Sequence, residues 1–259
     1  MKFKSLVAAM AVAAGGFTTS AQAIPVALEL SLVIDVSGSI STSEYNTQRT
    51  GYVNAFANAG IQSAIASFAG GIAVNVIQFG TNAVQVIGWT HLQTIADVAA
   101  FSTTLAGMTR SGAAGSSTDI EDGVVLSTAS FTNGFEGARL VMDVSGDGVQ
   151  NIDPSCPAVG ACAALQAARD AAAALGITIN GLAIEGDFGA TGVGDHFTTN
   201  LITAGGFLVR ASGFDDFERA AITKIGREIT GTVPTPGTLA LVGLALAGMG
   251  GLARRQRRA

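Results

Sequence analysis

The chain has 259 residues, with 14 Lys and Arg against 19 Asp and Glu and a formal net charge of −5. A hydrophobic content of 48% argues against a disordered tail protein, and the negative balance argues against nucleic-acid binding, which needs clustered Lys and Arg. Only 13% of the residues are charged and the mean hydropathy is +0.45, so part of the chain is expected to lie outside any soluble domain.

Residues 1–23 read as a secretory signal: Lys2 and Lys4, an apolar run from Leu6 to Ala14, then the small-residue pattern Ala21-Gln22-Ala23. Gly15-Gly16 interrupts the run, which disfavours a buried N-terminal helix. The domain that follows is expected over 24–232. Leu28 to Val36 is a strand whose apolar, β-branched content suits burial on both faces. Ser41 to Ala59 has helical spacing through Tyr45, Tyr52 and Phe56, with Ser41 and Glu44 as a capping box. Ile72 to Phe79 is a strand and Val84 to Trp89 a short edge strand. A helix around Ala96 to Leu105, a Gly/Ser loop from Met108 to Ser117 and a helix from Asp119 to Ala129 follow.

Arg139 to Val144 is a strand ending in Ser145-Gly146-Asp147-Gly148. Cys162 to Leu175 is an Ala-rich helix, Thr178 to Ile184 and Gly206 to Ala211 are strands, and Asp215 to Ile229 is an amphipathic helix. Gly189, Gly192 and Gly194, before His196, suggest a mobile stretch at the rim. Strands alternating with helices predict an α/β fold: a doubly wound, mostly parallel sheet with helices on both faces. Cys156 and Cys162 are the only cysteines, and in an exported chain two so close are expected to form a disulfide. A metal or redox role for them finds no further Cys or His partner. His91 and His196 lie in no recognisable motif and read as ordinary surface or hydrogen-bonded histidines.

Residues 233–259 carry Val-Pro-Thr-Pro, an apolar stretch from Gly237 to Ala253, and then Arg254, Arg255, Arg257 and Arg258. At ~1.5 Å per residue the stretch reaches roughly 25 Å, a little short of a ~30 Å hydrocarbon core, with the arginines held on the cytoplasmic side. This layout resembles the PEP-CTERM sorting signal of Gram-negative bacteria, with Thr235 where that signal usually has Glu. The resemblance implies anchoring in the inner membrane, removal of the tail by an exosortase and passage to the cell surface or extracellular matrix; an uncleaved anchor is the plainer alternative. Without both termini 209 residues remain, Lys and Arg fall from 14 to 8, and the formal charge becomes −11.

The first strand ends in Asp35-Val36-Ser37-Gly38-Ser39, and alternation puts Asp35, Ser37 and Ser39 on one side above the strand's carboxyl edge. Ligands bind at that edge in doubly wound sheets. One carboxylate and two hydroxyls form a hard-oxygen set suited to Mg²⁺, Mn²⁺ or Ca²⁺. Thr118, opening a helix, and Asp147, following a strand, are expected to add oxygens from neighbouring loops. Separately, each has a plainer reading: Thr118 and Glu121 as a capping box, Asp147-Gly148 as a turn.

Together these residues resemble the metal-ion-dependent adhesion site (MIDAS) of the von Willebrand factor type A (VWA) domain. There D-x-S-x-S on the first loop, Thr on the second and Asp on the third bind a divalent cation. The matching positions are Asp35, Ser37, Ser39, Thr118 and Asp147. VIDVSGSI, SSTDIEDGV and MDVSGDGVQN are similar to a bacterial subgroup of secreted VWA proteins. Ser145-Gly146 precede Asp147 where many relatives have Thr-Asp-Gly, which makes Asp143 the fallback ligand. The resemblance implies Mg²⁺-dependent adhesion to a protein partner offering an Asp or Glu carboxylate. Alternatives are a structural surface or matrix protein with a purely stabilising metal, and a Mg²⁺-dependent hydrolase. The chain lacks the G-x-x-x-x-G-K-[ST] and G-x-S-x-G motifs that would favour an enzyme.

Overall fold

The computed structural model describes residues 22–186 and 192–231. Residues 1–21 of the segment read as an export signal, all of 233–259 and Gly189 therefore lie outside the described residues. In chain order the elements begin with β1 (Ile24–Val26), β2 (Leu28–Asp35), α1 (Thr42–Ala57), α2 (Ala59–Ser67), β3 (Ile72–Phe79), β4 (Ala83–Leu92) and α3 (Ile95–Ala106). They continue with α4 (Ile120–Ser130), β5 (Phe135–Gly137), β6 (Leu140–Gly146), α5 (Ala163–Ala174), β7 (Ile177–Ile184), α6 (Gly192–Asn200), β8 (Leu208–Ala211) and α7 (Phe217–Thr230).

Six strands form the central sheet in the order β4-β3-β2-β6-β7-β8, all parallel except the antiparallel edge strand β4. Every residue of β2 and β3 is buried, as strands covered on both faces require. The period of two divides β2 between two cores. Leu28, Leu30, Leu32 and Ile34 pack with Tyr52, Phe56, Phe101, Phe217 and Ile225 under α1, α3 and α7. Val33 faces the other way, towards Ile120 and Val124 of α4, Leu165 of α5 and Phe197 of α6. Glu29 is tolerated inside β2 because Gly137 N–H and Asn133 Nδ2 donate to its two oxygens at 2.7 Å each.

Three details differ from the sequence reading. Asn58 ends α1 in an extended conformation and accepts from Gly60 and Ile61 N–H, starting a second helix, α2. Short β1 and β5 pair in parallel as a separate two-stranded sheet, too brief to show periodicity. The stretch read as mobile before His196 is helical from Gly192, fixed by Glu185, which accepts from Val193 and Gly194 N–H at 3.1 Å.

A charged cluster lies beneath the sheet. Lys224 of α7, with no solvent exposure, pairs at 2.7 Å with both Asp143 of β6 and Glu228. Tyr52 OH donates to Ser145 Oγ at 3.0 Å and lies 3.3 Å from Asp143 Oδ1, and Asn180 Nδ2 donates to Glu228. Burial, then the Asp143 charge, push Glu228 up to about 8 against the opposing pull of Lys224.

The chain runs outward from β2 to β3 and β4, then returns to β6 on the other side of β2. The direction of winding reverses there, which makes the carboxyl ends of β2 and β6 the crevice of the sheet.

Candidate metal centre

Asp35 ends β2 fully buried, with Ser37 N–H donating to its Oδ1 at 2.8 Å. Ile40 N–H turns back to Ser37 C=O, and Ser41 then starts α1 with the predicted reciprocal cap to Glu44. The short Asp35–Ser41 connection leaves Ser37 Oγ and Ser39 Oγ 3.2 Å apart. Gly38 N–H donates to Ser116 C=O, and a Cβ at Gly38 would lie 3.1 Å from that oxygen, so the first and second loops meet closely.

On the second loop, Thr118 is buried and precedes α4. The capping-box reading of Thr118 with Glu121 does not hold: Asp119 is the cap and accepts from Asp122 N–H. Thr118 is held instead by Asn151, whose Oδ1 accepts from Thr118 N–H at 2.8 Å and whose Nδ2 lies 3.4 Å from Thr118 Oγ1.

The third loop is fitted to the other two by small residues. A Cβ at Gly146 would lie 2.8 Å from Asp35 Oδ2, and one at Gly148 would lie 3.2 Å from Thr118 Oγ1. Between them Asp147 accepts from Ser39 Oγ at 2.8 Å. Asp35, Ser37, Ser39, Thr118 and Asp147 thus occupy one patch above the β2–β6 crevice. Asp143 points beneath the sheet to Lys224 and does not join them.

Asp35 Oδ2 is buried with no hydrogen-bond partner. Burial, and next the Asp147 carboxylate, push the Asp35 carboxyl up to about 7, opposed by the Ser37 hydrogen bonds and the Arg110 charge. A buried carboxylate with one bare oxygen is unfavourable until a cation or a proton meets it. Two carboxylates and three neutral hydroxyls fit a hard divalent cation. Among the described residues no group of three or more His, Cys, Asp or Glu forms a metal cluster, so the hydroxyls are essential to this donor set.

A polar cleft of about 470 Å³ opens beside Asp147, walled by Glu44, Glu185 and Phe214. Cys156 and Cys162 are disulfide-bonded in the loop between β6 and α5, as the sequence predicts. His196 is buried next to this loop: Gln150 N–H donates to its Nε2, its Nδ1 meets Asn200, and burial holds it below the ordinary histidine value. His91 Nε2 meets Gly70 C=O at 2.7 Å. Sequence reasoning missed Arg110, Asn151 and Gln48. Their only signals were a lone Arg in a Gly/Ser loop and two amides among many.

A comparison with curated proteins finds no significant sequence match. Among solved structures, proximal thread matrix protein 1 from the mussel byssus, with a zinc-occupied MIDAS motif, aligns at TM-score 0.52 and 16% identity. The alignment covers 78% of this chain and 46% of that one. The PilB minor pilin from Streptococcus sanguinis aligns at TM-score 0.53 and 15% identity over 80% and 62% of the two chains. A von Willebrand factor type A protein from Catenulispora acidiphila aligns at TM-score 0.50 and 13% identity over 78% and 42%. The chain spans about half the length of the mussel structures it matches. Likeness at these identities concerns the fold, which is of the VWA type. The family described as "Protein of unknown function (DUF1194)" matches residues 25–233, and the chain belongs to that family.

Proposed function

We propose that this chain is an exported VWA module that binds a protein partner through a divalent cation, Mg²⁺ first among the hard ions. The observation that carries the reading is the buried, unpartnered Oδ2 of Asp35, which lies against Gly146 of the loop that carries Asp147. Asp35 and Asp147 together carry the formal −2 that neutralises the ion, and the three hydroxyls add donors without further charge. When bound, the ion supplies an electrophilic centre to which an Asp or Glu carboxylate of the partner can attach. Ser39, exposed at the rim, would be the ligand nearest the partner, while Asp35 and Thr118 anchor the ion from below. The mussel protein's zinc-occupied MIDAS motif supports metal occupancy in this fold.

Residues 1–23 would direct export. Residues 233–259 would hold the chain in the inner membrane of a Gram-negative cell until an exosortase-type enzyme passes it to the surface or matrix. Among the described residues no helix is long and apolar enough to cross a membrane.

A second reading is favoured by how deeply the ligands sit: Asp35 is 0%, Thr118 4% and Asp147 5% exposed. A site so enclosed could hold a metal that stabilises the three loops without engaging a partner. Capture from producing cells with Mg²⁺ or EDTA, using wild type beside Asp35→Ala, tests both. Adhesion requires a partner retained only by wild type in Mg²⁺. Identical capture in EDTA rules it out, and metal-raised stability with no Mg²⁺-dependent partner supports the stabilising role.

A further inference from the structure

The first metal loop is braced from outside by one guanidinium. Arg110 Nε donates to Val36 C=O at 3.0 Å and Nη2 to the same oxygen at 2.5 Å. Nη1 donates to Ile40 C=O at 2.7 Å, and Nη2 also meets Ser37 C=O. The rigid fork of an arginine suits this role because its five donors diverge in one plane and can reach several carbonyls at once. Gln48 Nε2 takes the carbonyl of Asp35 at 3.1 Å. The carbonyls of Asp35, Val36, Ser37 and Ile40 are therefore all occupied by side-chain donors.

Arg110 is itself fixed on both sides. Gln78 donates to Thr109 C=O at 3.1 Å and accepts from Ser111 N–H at 2.7 Å. Tyr45 OH and Arg49 Nη1 both donate to Met108 C=O. Gln78 is fully buried and lies on β3, and Tyr45 lies on α1, so the brace stands on the rigid core.

The geometry points to Arg110 as the positioning residue of the metal site: it sets the loop so that Asp35, Ser37 and Ser39 converge, and it occupies the carbonyl oxygens of Val36, Ser37 and Ile40, withholding them from the ion. This rests on the metal-binding reading above and deepens it, because withheld carbonyls bear on which ion is taken. Mg²⁺ demands a compact, near-octahedral oxygen set, whereas Ca²⁺ accepts more oxygens, backbone carbonyls among them, at longer and more variable distances. A loosened loop with free carbonyls would misplace the hydroxyls for Mg²⁺ while offering Ca²⁺ substitutes.

The test is isothermal titration of the metal-free full chain with Mg²⁺ and with Ca²⁺, for wild type, Arg110→Ala and Arg110→Lys, beside their metal-free melting temperatures. Both variants are expected to weaken Mg²⁺ binding about tenfold or more and Ca²⁺ binding several-fold less, so that the preference for Mg²⁺ narrows. Arg110→Lys keeps the charge and most of the stem, so it maintains the comparison should Arg110→Ala fail to fold. A Mg²⁺ affinity within about twofold of wild type, or equal weakening for both ions, overturns the role of Arg110 and leaves the metal site standing. A wild-type chain that binds neither ion overturns both.

Discussion

Asp35 decides the chemistry of the candidate site because its buried, unpartnered Oδ2 has no paired cation among the described residues, whereas Asp143 Oδ2 and Glu228 Oε2, also buried without a hydrogen bond, belong to carboxylates paired with Lys224. The Asp35 carboxyl is pushed from the ordinary 3.8 up to about 7, so in the metal-free protein it holds a proton well into the neutral range. A divalent ion must displace that proton. Apparent Mg²⁺ affinity is therefore expected to rise with pH, by up to about tenfold per unit below 7, and to level off above it. Titration calorimetry at about pH 6 and pH 8 checks this; an affinity equal at both would count against it. Asp35→Asn removes the titrating group and the charge together and should abolish Mg²⁺ binding. Gly146 is a second sensitive position. A methyl group there would sit 2.8 Å from Asp35 Oδ2, so Gly146→Ala should weaken metal binding more than Gly148→Ala, whose nearest neighbour is Thr118 Oγ1 at 3.2 Å.

Helix α7 shows how an element's fit depends on charges that its own pattern does not explain. Phe217, Ala221, Ile225 and Ile229 bury the predicted apolar face, yet Lys224 and Glu228 are buried with them. Lys224 is paired with Asp143 and Glu228 at 2.7 Å each, and removing it would leave two buried carboxyls without their cation. Lys224→Met should destabilise the domain by about 3–5 kcal/mol in urea unfolding. Glu228 is raised from 4.5 to about 8, so the folded state binds its proton more tightly than the unfolded state does. The stability it contributes is complete below about 4.5 and is lost as the pH rises towards 8. Glu228→Gln imitates the protonated acid and should flatten that decline, measured as melting temperature against pH. An undiminished slope would assign the decline to another group.

For the molecule as a whole, a ligand that binds only the folded state raises its stability by mass action. At a concentration about 100 times its dissociation constant, Mg²⁺ should add ~2.7 kcal/mol, or roughly 5–10 °C in melting temperature for a domain of this size. EDTA should reverse the shift, and Asp35→Ala should show none. The three loops that meet at the patch come from β2, the approach to α4 and β6, so the ion would tie together segments far apart in sequence. The sheet order places β2 beside β6 and makes that meeting possible.

Much of this was legible in the residues. The largely apolar, β-branched strands β2 and β3 pointed to a sheet covered on both sides, and the alternation of strands with helical periods pointed to the doubly wound layout. Asp35, Ser37 and Ser39 were readable together because an extended chain places alternate residues on one side. Thr118 and Asp147 were readable only as residues at strand-end loops. Their approach to Asp35 is a tertiary fact, set by two glycines that carry no side chain to hold the loops apart. Arg110, Gln48 and Asn151 were not legible, since each acts through a hydrogen bond to a residue that only folding brings near. Asp143 shows the same limit from the other side: close in sequence to the third loop, it points to the opposite face because Lys224 is there to meet it. Local spacing determines which side chains can share a face or a turn. Which carbonyls are tied off, which carboxylate is left bare and which charges are buried together are decided where distant segments pack, because burial and charge pairing are properties of the assembled surroundings.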